Sequence, residues 1–81
     1  MLTDETISRL REACPLCSPE RVEADARAAV EWTERATALE LDSLLREADA
    51  AWDVAIRLAA YLSDRIGDAL AEDVLAEVQG P

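Results

Sequence analysis

"LLREADAAWDVAIRLAAYLSDRIG", residues 44–67, decides how this chain folds. Leu45, Trp52, Ala59 and Ile66 recur every seven residues, and Ala48, Ala55, Leu62 and Ala69 fill the position three later. Leu44, Ile56 and Leu58 widen the stripe beyond a strict two-position seam. Such a period belongs to a helix that buries one broad face. The pattern predicts the central helix of a bundle or the seam of a homodimer. Leu45, Trp52, Ile56, Ala59, Leu62 and Ile66 are its core or dimer-contact positions.

Downstream, Gly67 is expected to end this helix, with Asp68 capping a last one that carries Leu70, Val74 and Val78. The closing "QGP" reads as a frayed tail. Upstream, Glu40 falls in the middle of an apolar face near "LELDS", residues 39–43. Neither Gly nor Pro forces a turn there, so one unbroken helix is possible. A break is favoured, with Asp42 or Ser43 as the cap of the helix that follows.

Before it, Val22, Ala26, Ala29, Val30, Thr33 and Thr37 form a narrow face of small residues that a neighbouring helix can approach closely. Glu23, Arg27, Glu31 and Arg35 alternate in sign at four-residue spacing on the opposite side and support the helix. Trp32 lies off the apolar face, where it serves as an interface anchor or packs on a neighbour. This helix starts at "SPER": Ser18 is a good N-cap and Pro19 suits the first helical position. A first helix begins after Thr3, with Asp4 and Glu5 favouring its dipole and Ile7, Leu10 and Cys14 on one stripe. Pro15 stops it.

Between these two helices stands "CPLC", residues 14–17. A redox reading notes that Cys17 lies just before a helix N-terminus, where thiolate is favoured. It lacks the strands of a thioredoxin-like fold. A metal reading makes Cys14 and Cys17 half of a tetrahedral zinc site, which two chains would have to complete. The favoured reading is structural: a helix–helix corner whose free cysteines face inward as small hydrophobes.

The 81 residues allow one domain, spanning residues 1–81. The fold expected is all-α, a compact bundle of three or four helices, two of them long. With no Phe, one Tyr and two Trp, its core is thin, which favours dimerisation. No apolar run approaches the roughly 20 residues of a membrane span. The acidic N-terminus lacks the features of a signal peptide, so a soluble, cytoplasmic protein is expected.

Eighteen acids against eight arginines give a net charge of −10. Direct binding to nucleic acid or to anionic membrane is disfavoured, and a basic protein is the natural partner. With His absent, the common proton shuttle and the common nitrogen metal ligand are both missing. The two glycines cannot build a phosphate loop. These residues argue against an enzyme, and no cofactor is expected.

One acidic constellation stands out. Asp64, Asp68 and Glu72 follow at four-residue intervals, and Asp73 and Glu77 repeat the spacing on the adjacent stripe. Like charges at this spacing destabilise a helix, and acids near its C-terminus oppose its dipole. Their separation resembles that of phosphates along a nucleic-acid strand. Together with Trp32 they form the candidate partner-binding surface. The leading expectation is therefore a small acidic interaction protein that binds and masks or inhibits a basic partner, one that itself binds nucleic acid. Antitoxins and anti-CRISPR proteins share this profile of size and charge. The alternatives are a helical assembly adaptor whose acidity serves solubility, and a thiol-based metal or redox module.

Overall fold

The computed structural model describes residues 1–80 and is all-α. Four helices follow one another: α1 (Asp4–Ala13), α2 (Pro19–Leu41), α3 (Leu45–Ile66) and α4 (Asp68–Gln79). Two are long, at 23 and 22 residues. Pro81, read from sequence as part of a frayed tail, lies outside the described residues, while Gln79 still belongs to α4.

The helix starts follow the side chains at their caps. The Thr3 hydroxyl accepts from the Thr6 amide and the Ser18 hydroxyl from the Arg21 amide, which satisfies donors that a helix N-terminus leaves free. Pro19 occupies the first turn, where its missing N–H costs nothing.

The turn at residues 42–44 is built differently from the sequence expectation. Neither Asp42 nor Ser43 caps α3. Asp42 instead ends α2, and Ser43 follows in the left-handed region at φ 62°. The Ser43 amide donates to the Glu40 carbonyl and the Leu44 amide to the Leu39 carbonyl. These paired bonds form the Schellman arrangement that usually requires glycine. Leu44 then stands at the start of α3 with no side-chain cap. Backbone bonding thus turns the chain without Gly or Pro.

At the other corner, Gly67 (φ 88°, ψ 153°) ends α3 and begins α4. That combination is essentially restricted to glycine. Asp68 is the first helical residue and not the cap that the sequence suggested. Its carboxylate still sits in the first turn, where the helix dipole favours it.

The hydrophobic core gathers at one end of the molecule. Leu10 of α1, Val22 and Ala26 of α2, Leu62 and Ile66 of α3, and Leu70 and Val74 of α4 meet there, with Cys17 beside them. The long helices run on beyond this four-helix end, giving extents of 42 × 25 × 18 Å. Along that outer half the buried residues are Ala36, Ala48, Ala51 and Ala55. Every buried position of this half is therefore an alanine, which lets the two backbones approach closely along their seam. Trp52 reaches across it, its Nε1–H donating to the Glu40 carboxylate at 2.5 Å.

The seven-residue stripe of α3 consequently divides. Leu62 and Ile66 belong to the core, and Trp52 and Ala59 are half-buried. Leu45 and Ile56, expected in the core or at a dimer contact, are each 63% exposed. With only twelve residues, α4 is too short to cover the α2–α3 pair along its whole length.

Candidate interaction surface

The acidic constellation is not one free ridge. Asp73 pairs with Arg9 of α1 at 2.6 Å, which raises the affinity of that guanidinium for its proton. Glu77 accepts from the Thr6 hydroxyl through one oxygen and from the Thr3 amide, at 2.9 Å, through the other. The Thr3 hydroxyl donates in turn to Thr6. Hydrogen bonding to Thr6 first, and then to the Thr3 backbone, holds the Glu77 carboxyl below its ordinary range.

These two acids therefore complete the start of α1. Glu77 brings negative charge to a helix N-terminus that favours it, which offsets its poor position near the C-terminal end of α4. Both acids are thus engaged within the chain, Asp73 while keeping about half of its side-chain surface open to solvent. Asp64, Asp68 and Glu72 remain exposed, but the corner at Gly67 separates Asp64 from the other two.

Trp32 has a partner of its own within the chain. It is half-buried on α2 under the guanidinium of Arg35, 4.8 Å from the ring centroid. A cation over an aromatic face is a stable arrangement without any partner.

A feature that the sequence reading passed over is the free end of the α2–α3 hairpin. Leu41 is 81% exposed, Leu44 46% and the adjoining Leu45 63%. Within residues 40–49 stand Glu40, Asp42, Glu47 and Asp49 against a single Arg46. Apolar side chains framed by carboxylates thus occupy the end farthest from the core. The signal was present as the run Leu41-Asp-Ser-Leu44-Leu45, but Leu44 and Leu45 were assigned to the apolar stripe of α3 and the rest to a turn.

No protein-family model, curated protein or solved structure matches this chain.

At the α1–α2 corner, Cys14 and Cys17 are joined in a disulfide with Cα atoms 5.3 Å apart. The corner itself and the burial of Cys17 agree with the sequence expectation, but the cysteines are not free. In this state neither sulfur offers a thiolate to a metal. Among the described residues, no group of three or more Cys, Asp or Glu is placed to hold a metal ion. No described helix is long and apolar enough to cross a membrane.

Proposed function

We propose that the chain is a non-enzymatic interaction protein that docks its hairpin end onto a basic, nucleic-acid-binding protein and masks it. One observation carries this reading: exposed Leu41, Leu44 and Leu45 stand among four carboxylates and one arginine. Such a surface suits a partner patch that is apolar at its centre and cationic at its rim. The apolar anchors supply affinity, and the charges supply steering and selectivity. The net charge of −10 extends the same field to longer range. A cytoplasmic location belongs to this proposal.

The test begins with a captured basic protein, purified and titrated against variants. Leu41→Ser with Leu44→Ser should abolish binding. Neutralising Asp42, Glu47 and Asp49 should weaken it and flatten its salt dependence. Neutralising Asp64, Asp68 and Glu72 is the equal-sized comparison. If that set weakens binding as much as the hairpin set, only bulk charge matters and the docking site is wrong.

A second reading, an assembly adaptor built on a homodimer, rests on α3. Arg46, Asp53, Arg57 and Asp64 are all exposed and, spaced seven, four and seven residues apart, fall on one line of the helix. An antiparallel copy centred near Ala55 sets Arg46 against Asp64 and Asp53 against Arg57, beside the exposed Leu45 and Ile56. A parallel copy sets like against like. Salt separates the readings: it weakens masking of a basic partner, but it screens the net repulsion between two acidic copies. Sedimentation at low and high ionic strength shows which holds.

A further inference from the structure

The Cys14–Cys17 disulfide has surroundings that a purely structural crosslink does not need. Arg65, from the last turn of α3, directs its Nη2 at the Cys17 sulfur from 3.3 Å. Tyr61 holds the guanidinium in place: its hydroxyl accepts from Nη1, and its ring lies 5.2 Å beneath the cation. A cavity of about 390 Å³ opens here, its lining including Leu16, Cys17, Tyr61 and Arg65 together with the ion pair of Arg21 and Asp25. Leu16, between the two cysteines, is 96% exposed at its edge.

A guanidinium gains little from a neutral disulfide sulfur. It gains far more from the same sulfur as a thiolate, because hydrogen bonds to an ionised partner are roughly twice as strong. Arg65 is therefore placed to stabilise the state that follows cleavage of the S–S bond. The N-terminus of α2, which begins two residues after Cys17, acts in the same direction. As residues, Cys14 is half-buried and Cys17 buried, and the cavity leaves room beside Cys17 for a released thiolate facing Arg65.

We propose that Cys14–Cys17 is a thiol–disulfide exchange site that accepts electrons from thiols, with Cys14 as the attacked sulfur and Cys17 as the leaving group held by Arg65. The incoming thiolate forms a bond to Cys14 Sγ, and the electrons of the broken S–S bond leave on Cys17 as a thiolate facing Arg65. A second thiolate then attacks the incoming group's own sulfur and displaces Cys14 as a thiolate, which takes up a proton. In balance, two thiols become one disulfide, and Cys14–Cys17 becomes a Cys14 thiol and a Cys17 thiolate, with the second proton released to solvent. The leaving group departs faster the better its thiolate is stabilised, which is the role that the geometry gives Arg65. This inference does not involve the hairpin end and leaves the docking reading standing; it adds a redox site at the opposite end of the molecule, which alters only the non-enzymatic character proposed for the chain.

The experiment treats the oxidised, folded chain with reduced glutathione and, in parallel, with a short peptide dithiol. Samples are quenched with an alkylating agent and mapped by mass spectrometry. The expected intermediate carries the thiol on Cys14 and the alkyl group on Cys17. Arg65→Gln should slow reduction on the order of tenfold, as loss of one charge-assisted bond implies. Arg65→Lys should recover part of that rate, and Arg21→Gln should leave it unchanged. Faster reaction with the peptide than with glutathione at equal thiol concentration identifies a polypeptide substrate; the reverse identifies a small thiol. Capture on Cys17 overturns the assignment of the sulfurs. An unchanged rate in Arg65→Gln overturns the role of the guanidinium. A rate independent of thiol concentration and equal to global unfolding makes the disulfide a structural crosslink only. Circular dichroism of each variant confirms that the folded state is being compared.

Discussion

Glu77→Gln removes the carboxylate that ties the end of α4 to the start of α1. In the folded chain its two oxygens accept from the buried Thr6 hydroxyl and the Thr3 amide. A hydrogen bond to a charged group is worth about 1.5–3 kcal/mol. Glu77 is only half-buried and the Thr3 bond is exposed, so the lower figure, about 1.5 kcal/mol for the pair, is appropriate. For a domain of this size that corresponds to about 6–12 °C in Tm. Thr6→Val deletes the donor at nearly constant volume. Because the two groups form one unit, the double variant should be more stable than the sum of the single losses implies, by about 1 kcal/mol. Thermal unfolding followed by circular dichroism at neutral pH gives all four values. The carboxyl is held below its ordinary value of 4.5 in the folded state. Its stabilisation is therefore complete above that pH and is lost as pH falls through the depressed folded value. The gap between wild type and Glu77→Gln should close over the same acid range. Additive losses within about 0.3 kcal/mol, or a gap that persists in acid, would refute the engagement of Glu77 with α1 and return it to the free surface.

Ser43→Gly should stabilise the chain by about 0.5–1 kcal/mol, since a left-handed residue is strained with a side chain and unstrained without one. Chemical denaturation measures the gain, and a loss would mean that Ser43 contributes more than backbone geometry. Gly67→Ala should cost about 1–3 kcal/mol although an added Cβ would meet nothing within 4 Å, because the backbone conformation alone resists it. Leu62→Ala should cost about 2–5 kcal/mol, whereas Ile56→Ala should stay within about 0.5 kcal/mol at dilute, monomeric concentration. Equal effects in urea titrations would show that the α3 stripe is not divided as described.

Helix boundaries marked by side-chain chemistry were legible in the sequence. Thr3, Ser18-Pro19 and Gly67 each stand where the chain starts or stops a helix, for reasons that act within a few residues. The reversal at Ser43 was only half legible. The reset of the apolar stripe showed that a break was needed, but the turn relies on backbone bonds that leave no mark in composition. Leu45 and Ile56 lie outside the core of the single chain, which the sequence alone did not reveal, because a period shows only which residues share a face. It does not reveal how far a neighbouring helix extends along that face. The intrachain partners of the acidic constellation were hidden for a related reason. Spacing along α4 was visible, yet the groups that occupy Asp73 and Glu77 come from Thr3, Thr6 and Arg9, far away in sequence. The cysteine corner was placed correctly, while its oxidation state and the approach of Arg65 belong to the folded molecule.

The alanine seam of the outer hairpin carries a dynamic consequence. A buried methyl group contributes about 0.8 kcal/mol, a fraction of what a leucine gives, so Ala36, Ala48, Ala51 and Ala55 hold the two helices only lightly. The four-helix end, with its leucines and valines, is far more cohesive. Amide hydrogen exchange should therefore divide the long helices into two cooperative units. The outer halves should exchange through local opening at low free energy, and the inner halves only through global unfolding. The leucine-bearing end thus rides on the segment that opens first, and a bound partner would slow exchange along the seam well beyond the residues it touches.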